Sequence, residues 1–476
     1  MDCYFAEGLT TTDGAGTALT TEQMKSIASF NNFAANGWVE GNALYPYPQL
    51  SSNMQQLENP FAGGNGTQSD PFRIETAEQF NAIARYPSAV YKQTAEFTLT
   101  APVDSFSGIY DGDNKIITLN INNTDESILV LGGLFKQVTG DAVLRNIHTK
   151  GSITTTSTEA GTGDEQNTTG GIIGFLNSIT AIVENCVNEA SINAQYKIGG
   201  IIGRTINKEG AQLNRLINFG SLAGSQRMGG IIGLCYTPVT NCANYGSVSS
   251  SSTNVGGIVG QAYCSISNSF NSGDIVGSGN GGGISGTQRF TSNIIENCYN
   301  TGNITAKTND YAGGITSGCS TFSDKPQLTL TNCYNLGKIQ CKNSEPFNPL
   351  FSFPGGDTST PTVISTPIIT NCYYLSPNGQ NDGWDGTTAK NMAEMKILAD
   401  DLGDAFEAPS SSYLFPELKG NPNESGYQLF VISVTAGSGG TVNPLGDNYI
   451  RRGDTFTVSL LPDDAYMIGK ILYDGN

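Results

Sequence analysis

Positive charge, histidine and long apolar runs are all scarce in this sequence of 476 residues. It has 24 Lys and Arg against 42 Asp and Glu, which gives a formal net charge of −18. Nucleic acids and anionic lipid surfaces are bound through clustered Lys or Arg, so neither is an expected partner. No run of 18 apolar residues occurs, and we therefore expect no membrane insertion.

The residues of metal and cofactor sites are equally sparse. The single histidine is His148, and none of the ten cysteines forms a Cys-x-x-Cys pair. A zinc site would therefore lack its usual ligand spacing. Gly277, Gly279 and Gly282 satisfy the pattern Gly-x-Gly-x-x-Gly, but inside a repeat rather than between a strand and a helix. We expect no cofactor and assign no catalytic residue.

Glycine, in contrast, is abundant, with 59 residues, and much of it falls in a repeated block. The block reads Gly-Gly-hydrophobic-hydrophobic and is usually followed by a further Gly. A fixed period of this length predicts one supersecondary unit stacked many times. Its seven copies begin at Gly132, Gly170, Gly199, Gly229, Gly256, Gly282 and Gly313.

A second motif, Asn-Cys-x-Asn-x-Gly, follows the glycine blocks. Ser269 and Leu216 stand at the Cys position in two copies, and this exchange indicates a small or apolar buried site rather than a reactive thiol or a disulfide. The Asn and Gly residues favour corners with positive φ, and the intervening Ile, Val and Thr favour strands. Copies of the motif begin at Asn185, Asn241, Asn297, Asn332 and, in a shorter form, Asn371.

The connections between these strands are too short for a crossover helix, so successive repeats should stack as the coils of a parallel β-helix. The predicted fold class is all-β: a right-handed parallel β-helix with short capping helices, followed by a small β module. A series of β-sandwiches also has short strands but does not repeat its sequence at every period. We expect the β-helix over 57–430, with an N-terminal cap (57–105), coils (106–375) and a C-terminal cap (376–430).

Helical patterns flank the coils. Thr76 to Gln79 forms a capping box before Phe80 and Ile83, and Met392, Met395, Leu398 and Leu402 recur at helical spacing after them. Residues 1–56 repeat this tail: Asp2-Cys-Tyr-Phe5 matches Asn371-Cys-Tyr-Tyr374, and Tyr47 to Leu50 is similar to Tyr427 to Phe430. We therefore expect 1–56 to be the closing cap of a preceding repeat unit, and 431–476 to be the small β module, truncated at its end.

These repeats resemble the GLUG-repeat proteins of bacteria. The segments Phe61 to Thr67, Asp70 to Ile74 and Phe106 to Gly112 are similar to the start of that family's solenoids, and the C-terminal stretch resembles extracellular modules related to the internalin B-repeat. The resemblance implies a large secreted or wall-attached bacterial protein in which the solenoid is a stalk, an adhesin or a binding module. It also implies that any associated peptidase lies in another domain, and it carries no catalytic residues.

Three sets of residues are candidate sites. Glycosidic chemistry needs two carboxyls within about 5–10 Å, yet Glu184 and Glu296 share a repeat position four coils apart, about 19 Å at strand spacing. Asp111 and Asp113 could be part of a Ca²⁺ loop, although a tight turn between strands is the favoured reading.

The third set is an aromatic stripe. Phe270, Tyr299, Tyr334 and Tyr373 follow the Cys position in four successive repeats, and alternation along the strands should point their rings outward if the Cys positions point inward. Exposed, the rings would stack on sugars. The alternative is that they stack on one another or lie beneath a flanking segment such as 340–370.

From the sequence we expect a non-catalytic adhesin, binding or stalk module, secreted or on the bacterial cell surface. Its expected partners are an extracellular glycan or a host protein, contacted along the flank of the solenoid, and other domains of the same polypeptide. Two alternatives stay open: a polysaccharide lyase or glycoside hydrolase, and a spacer that binds nothing.

Overall fold

The computed structural model describes most of the chain, and every structural statement below refers to the described residues. These are 4–6, 16–54, 58–123, 125, 131–157, 167–289, 292–307, 312–317, 327–341, 349–351, 367–376, 386–409, 413–423, 429–451, 456–464 and 466–468.

Each repeat contributes short strands to three sheets, and each strand pairs in parallel with its counterpart in the next repeat. The large sheet contains 26 strands. In chain order they are Phe72–Ile74, Val90–Gln93, Phe97–Leu99, Ile109–Asp111, Ile116–Asn123, Val143–Arg145, His148–Thr155, Ile182–Asn188, Ser191–Asn193, Gln212–Asn218, Leu222–Gly224, Val239–Thr240, Ala243–Asn244, Val248–Ser250, Ile266–Ser267, Phe270–Asn271, Ile275–Gly277, Ser292–Glu296, Tyr299–Asn300, Ile304–Ala306, Gln327–Thr331, Tyr334–Asn335, Ile339–Gln340, Ile368–Thr370, Cys372–Leu375 and Thr387–Lys390.

The second and third sheets have seven strands each. The second consists of Val103–Phe106, Phe135–Thr139, Ile173–Asn177, Ile202–Thr205, Ile232–Cys235, Val259–Ala262 and Ser285–Gln288. The third consists of Leu131–Gly132, Thr168–Gly170, Lys197–Gly199, Met228–Gly229, Val255–Gly256, Gly281–Gly282 and Ala312–Gly313. Three parallel sheets wound from one repeating unit are a parallel β-helix, as the sequence predicted; its right hand stays a prediction.

The interior is one continuous apolar core, built by stacking like residues on like. Ile173, Ile202 and Ile232 follow one another in register on the second sheet, and all three are fully buried. Burial of an Ile side chain contributes about 1.5–3 kcal/mol, so a ladder of them stabilises every coil against its neighbours. The repeated pattern of the sequence therefore becomes a repeated pattern of contacts.

The two glycine-containing motifs meet at one corner of the coil, where an asparagine ladder runs through the core. Each of its first five Asn residues donates from Nδ2 to Oδ1 of the next Asn at 2.7–2.8 Å, and also to the carbonyl two residues further along the chain at 2.8–2.9 Å. The ladder consists of Asn188, Asn218, Asn244, Asn271, Asn300 and Asn335.

In every Gly-Gly pair from Gly170 onward, the second glycine lies against this ladder. A Cβ at Gly171 would contact the Asn188 side chain, and one at Gly257 would contact that of Asn271. These glycines have no positive φ among the described backbone angles, so close approach explains them rather than the corner conformation predicted from the sequence. Positive φ falls instead on the residue that precedes each Cys position, for example Asn241 at 54° and Asn297 at 50°.

The prediction that the repeated cysteines are packing residues is confirmed. Cys186, Cys242, Cys298, Cys333 and Cys372 are free and buried. The thiol of Cys298 donates to the carbonyl of Glu296 at 3.1 Å, and equivalent bonds occur in the other copies. Burial raises the pKa of the Cys242 thiol to about 12, which keeps it protonated and unreactive at neutral pH.

Helices occur only at the two ends of the described solenoid. The α-helices are Thr21–Lys25, Ala77–Ala82, Met392–Met395 and Ala399–Leu402, and the 3₁₀ turns are Ile27–Ser29, Ala34–Asn36 and Ile83–Arg85. Thr76 caps the second helix and Gln79 completes the capping box, as predicted. No helix among the described residues is long and apolar enough to cross a membrane.

The remaining strands form small two-stranded sheets outside the coils. Their pairs are Tyr4–Ala6 with Thr17–Leu19, Trp38–Val39 with Gln49–Leu50, Phe406–Glu407 with Glu417–Leu418, Leu429–Val434 with Gly446–Arg451, and Gly440–Asn443 with Ser459–Pro462. The first pair is parallel and the other four are antiparallel. The division of the chain into the segments 1–56, 57–430 and 431–476 stays a prediction.

Candidate functional site

The predicted aromatic stripe exists as a column of rings on the outer face of the large sheet. Phe270, Tyr299, Tyr334 and Tyr373 lie in register on successive strands. The centroids of Phe270 and Tyr299 are 4.8 Å apart, as are those of Tyr299 and Tyr334, and the ring planes are within 3° of parallel. These four residues are called the outer aromatic column below.

The column is not an open surface, and the prediction of exposed rings is wrong. Phe270, Tyr299 and Tyr334 are fully buried, while Tyr373 is half-buried. The C-terminal cap folds back along the flank and covers them with Met395, Leu402, Phe406, Tyr413 and Phe415. The alternative of stacked and covered rings is the correct one, although the cover comes from 386–423; the segment 340–370 lies largely outside the described residues.

Hydrogen bonds fix the cap on the column. Tyr334 donates its hydroxyl to the Pro416 carbonyl at 2.7 Å. Asn421 donates from Nδ2 to the carbonyls of Asn268 at 2.9 Å and Cys242 at 3.3 Å. Burial is the main cause that raises the pKa of Tyr334 well above its ordinary value, so the phenol stays neutral. This interface is therefore a second apolar core.

Asp111 and Asp113 form a turn that is held by cations and amides. Asp111 accepts hydrogen bonds from Arg145 at 2.9 Å and Asn146 at 3.0 Å, and Asp113 lies 3.3 Å from the Lys92 ammonium. Burial alone would raise the pKa of Asp111, but the bonds from Asn146, the Asp113 amide and Arg145 outweigh it and lower that pKa.

The geometry of this turn fits the tight-turn interpretation. Asp113 and the residue after it have φ values of 50° and 55°, which are typical of a turn between strands. No group of three His, Cys, Asp or Glu residues that could hold a metal ion occurs in the described part of the chain.

The two glutamates considered for glycosidic chemistry stand far apart. Register carries Glu184 through Asn214, Thr240 and Ser267 to Glu296, four coils away. At strand spacing this is about 19 Å, too far for a pair of cooperating carboxyls.

A different outward face brings together residues that the sequence pattern did not single out. On the second sheet, Phe175, Arg204, Leu234 and Gln261 follow one another in register outside the main apolar core, and each is at most 7% exposed. The Arg204 guanidinium lies 4.2 Å from the centre of the Phe175 ring, within cation–π range.

Two tyrosines stand beside this row. Tyr236 and Tyr263 come directly after successive strands of the second sheet, and their ring centroids are 4.3 Å apart with 15° between the planes. Gln261 donates from Nε2 to the Tyr263 hydroxyl at 2.8 Å. Burial and the neighbouring Tyr263 raise the pKa of Tyr236 to about 12, so its hydroxyl remains a neutral donor and acceptor.

Arginines complete the group from both sides. Arg289 occupies the position of Tyr263 in the next coil, and its backbone amide donates to the Ala262 carbonyl at 2.8 Å. Arg227 immediately precedes the third-sheet strand Met228–Gly229. Burial lowers the pKa of its guanidinium, and the nearby Arg289 and Arg204 lower it further against the opposing effect of the tyrosines. We call Arg204, Arg227, Tyr236, Tyr263 and Arg289 the basic-tyrosine surface.

The chemistry of this surface suits a planar anion carried on a ring. Guanidinium groups bind carboxylate and sulfate with two parallel hydrogen bonds, and tyrosine rings stack on sugar faces while donating from their hydroxyls. Arg227, Tyr236, Tyr263 and Arg289 are each partly exposed, whereas Arg204 is buried behind them. The only signal in the sequence is that Tyr236 and Tyr263 share one repeat position, and a pair is too short a run to stand out.

Arg227 also has an unusual backbone. Its φ is 51°, and the residue at the same place in the next coil is Asn254 with φ 62°. Left-handed backbone costs an L-residue other than Gly or Asn about 1–2 kcal/mol. Arg215 has a similar φ of 54°, so this backbone conformation does not by itself set Arg227 apart.

Part of the repeat region of this chain matches a known sequence motif. The model of the GLUG motif matches residues 251–276, a stretch that contains one Gly-Gly block and one Asn-x-Gly turn. The chain is thus a β-solenoid that carries a GLUG motif. No curated protein matches this sequence.

A crystal structure of a putative immunoglobulin A1 protease from Bacteroides ovatus is similar to this chain. The two share 17% identity over 75% of this chain and 95% of that one, with a TM-score of 0.41. This likeness is too distant to carry the activity of that protein to this chain.

Proposed function

We propose that this chain is a non-catalytic rod segment of a secreted or cell-surface bacterial protein, and that its basic-tyrosine surface binds acidic glycans. The observation that carries the proposal is the convergence of Arg204, Arg227 and Arg289 around the stacked pair Tyr236 and Tyr263. The ligand class is a polysaccharide that bears uronate or sulfate groups.

The charge balance of the chain supports this choice of ligand. Only 24 of the 476 residues are Lys or Arg, against 42 Asp and Glu, yet three arginines gather around one pair of rings. A local cationic surface on an anionic rod attracts an anion over short range, within about 8–10 Å at physiological salt. It leaves the remainder of the rod repulsive toward polyanions, which favours binding at this one place.

The shape of the solenoid supports the extended character of the ligand. Tyr236, Tyr263 and Arg289 occupy the same position in three successive coils, about 4.8 Å apart along the solenoid axis. A polysaccharide chain lying along the flank would meet rings and guanidinium groups in turn. Repetition of one contact on a rigid scaffold is a typical way for solenoids to bind long partners.

A polysaccharide lyase or hydrolase is the alternative that the same ligand raises. Glu184 and Glu296 stand on the large sheet, on other strands than the basic-tyrosine surface, and four coils apart from each other. Their spacing supports binding without cleavage.

The test is a panel of immobilised polysaccharides with the full chain: heparin, chondroitin sulfate and polygalacturonate against dextran and mannan. We expect retention on the acidic members that weakens as the salt concentration rises. New sugar ends are scored in the same reactions, with and without calcium, because their appearance would establish the enzymatic alternative.

The matched variants are Arg227→Ala and Arg215→Ala. Both arginines have positive φ, at 51° and 54°, and both are outside the apolar core, but Arg215 is on the large sheet. Loss of retention in the first variant alone supports the proposal. Equal loss in both would mean that total charge matters rather than this surface, and would contradict it.

A further inference from the structure

The described residues before the solenoid have the same arrangement of strands and helix as those that close it. Tyr4–Ala6 pairs in parallel with Thr17–Leu19, and Cys372–Leu375 pairs in parallel with Thr387–Lys390. A capping-box helix follows at once in both, with Thr20 or Asn391 as the N-cap residue.

The likeness extends through the next sheet. Trp38 pairs with Leu50 and Phe406 with Leu418, in antiparallel hairpins whose partners have the same separation along the chain. The segment that ends in the returning strand reads Tyr45-Pro-Tyr-Pro-Gln-Leu50 in the first unit and Tyr413-Leu-Phe-Pro-Glu-Leu418 in the second. The match of Tyr47 to Leu50 with Tyr427 to Phe430, expected from sequence, is therefore replaced by Phe415 to Leu418; Tyr427 lies outside the described residues.

In the C-terminal unit these residues are the cover of the outer aromatic column. Met395, Phe406, Tyr413 and Phe415 are at most 4% exposed, and all belong to the apolar cluster that contains Tyr334. The Pro416 carbonyl accepts the Tyr334 hydroxyl, and Tyr413 bonds the same hydroxyl at 3.2 Å.

In the N-terminal unit the equivalent residues surround an open cavity of about 470 Å³. The cavity, which we call the N-terminal cup, is lined by Tyr4, Met24, Phe33, Trp38, Tyr45 and Tyr47. By the alignment above, Met24 takes the place of Met395, Trp38 that of Phe406, and Tyr45 that of Tyr413. Each of these three is partly exposed in the cup, and Tyr47 is 37% exposed where Phe415 is fully buried.

We propose that the N-terminal cup receives the outward column of tyrosine and phenylalanine rings from a coil stack of the same repeat type, which precedes it in the same polypeptide. The C-terminal unit shows this arrangement complete. The cup presents the same contacts, with a carbonyl at Pro48 in the place of Pro416, and it lacks only the rings.

The position of Tyr4 supports the order of the partner in the chain. Tyr373 pairs with Tyr334 on one side and with Thr388 on the other. Its counterpart Tyr4 pairs with Thr17, which corresponds to Thr388. Among the described residues, the opposite edge of Tyr4–Ala6 has no strand partner. That opposite edge of Tyr4–Ala6 is thus the one to which the last coil of a preceding stack would pair. Tyr4 would then be the final ring of the aromatic column of that stack.

A second copy of this chain is a poorer occupant. Its outer aromatic column is already covered by its own C-terminal cap, and a cup from another molecule would have to displace contacts made within one chain. Coils on the N-terminal side of the cup would meet it at high effective concentration.

The experiment asks whether the N-terminal unit can cover an aromatic column. In the full chain, residues 386–423 are replaced by a second copy of 16–54. Two comparison proteins carry either the same graft with Trp38→Ala and Tyr45→Ala in the copy, or a Gly-Ser linker of equal length. Nitration of Tyr299 and Tyr334, followed by mass spectrometry, reports whether the column is covered, and thermal unfolding reports stability.

We expect the graft to protect Tyr299 and Tyr334 from nitration several-fold relative to the linker protein, and to raise the melting temperature above it. The graft with the two alanines should lose most of that protection. A graft as reactive as the linker protein would overturn the proposal. Nitration keeps the test decisive even if all three proteins melt below the unmodified chain.

A sugar is the other occupant that an aromatic cup could hold. The full chain with Trp384→Phe leaves Trp38 as its single tryptophan, and its fluorescence is recorded against neutral and acidic oligosaccharides. We expect no saturable change. A saturable change that is absent in Tyr45→Ala would make the cup a glycan site and contradict the proposal, without bearing on the basic-tyrosine surface.

Discussion

Two outward faces of this solenoid carry tyrosines at repeated positions, and they differ in what lies over them. On the large sheet, Tyr299 and Tyr334 are fully buried beneath the C-terminal cap. At the second sheet, Tyr236 and Tyr263 stack on each other and stay partly exposed among arginines. The comparison teaches that periodicity places a ring on the outside of a coil, while a segment far along the chain decides whether that ring is core or surface.

The neighbours of each face are consistent with its role. The covered column has apolar partners, and its hydroxyl groups find partners inside the interface: that of Tyr334 bonds Pro416 and Tyr413, and that of Tyr299 accepts from Asn423 Nδ2 at 3.4 Å. The open pair has Arg227 and Arg289 beside it, and charged groups of one sign are costly to enclose. Substitution should therefore affect stability on the first face and binding on the second.

The largest effect is expected from Tyr334→Ala. Removal of this buried ring leaves a cavity between the column and the cap, at a cost of about 3–5 kcal/mol in the free energy of unfolding. Chemical denaturation measures it. Tyr334→Phe, which keeps the ring and loses the bond to Pro416, should cost only about 1–3 kcal/mol. Equal costs for the two variants would show that packing is not what holds the cap.

A substitution inside the coil should damage both faces together. Asn271 donates to Asn300 Oδ1 and the Gly273 carbonyl, and accepts from Asn244. Asn271→Ala leaves several buried groups unsatisfied at about 1–3 kcal/mol each, so we expect a loss of about 3 kcal/mol or more. The exposed Asn193→Ala, on another strand of the large sheet, is the control and should be near neutral. Similar melting curves for the two variants would contradict the ladder's role.

The open face should respond in binding alone. Arg227→Ala is expected to weaken retention of an acidic glycan at least about tenfold, equivalent to about 1.4 kcal/mol, with little change in unfolding. Surface plasmon resonance on immobilised heparin measures the affinity. Relief of the positive φ by the smaller side chain is not expected to stabilise the chain much, since alanine disfavours that backbone as well.

The smallest effect is expected at the turn of Asp111, which belongs to neither face. Its pKa is held below the ordinary value of about 3.9, so its carboxylate contributes stability above pH 4 that is lost as the pH falls through the lower folded pKa. The melting temperature of Asp111→Asn should therefore be below that of the unmodified chain at pH 7, and the difference should shrink toward pH 3. The mostly exposed Asp104→Asn should show no comparable difference at pH 7. A constant gap across this range would contradict the assigned bonds.

Much of the fold could be predicted because one repeat determines one coil. The Gly-Gly block, the Asn corner and the inward Cys position are local features, and the structure places each where the period indicates. The cover of Tyr299 could not be predicted, because Phe415 and Tyr299 are brought together only by the fold of a segment outside the repeat. The basic-tyrosine surface was missed for a similar reason: Arg227 precedes a strand of the third sheet, Tyr236 follows a strand of the second, and no spacing in the sequence relates the two.

The central claim is that the open face binds and the covered face holds the fold together. The most direct test measures heparin affinity and unfolding free energy on the same three proteins: the unmodified chain, Arg227→Ala and Tyr334→Phe. The account predicts that Arg227→Ala loses affinity at unchanged stability and that Tyr334→Phe loses stability at unchanged affinity. Loss of affinity in Tyr334→Phe with full affinity in Arg227→Ala would place the ligand on the aromatic column and contradict it.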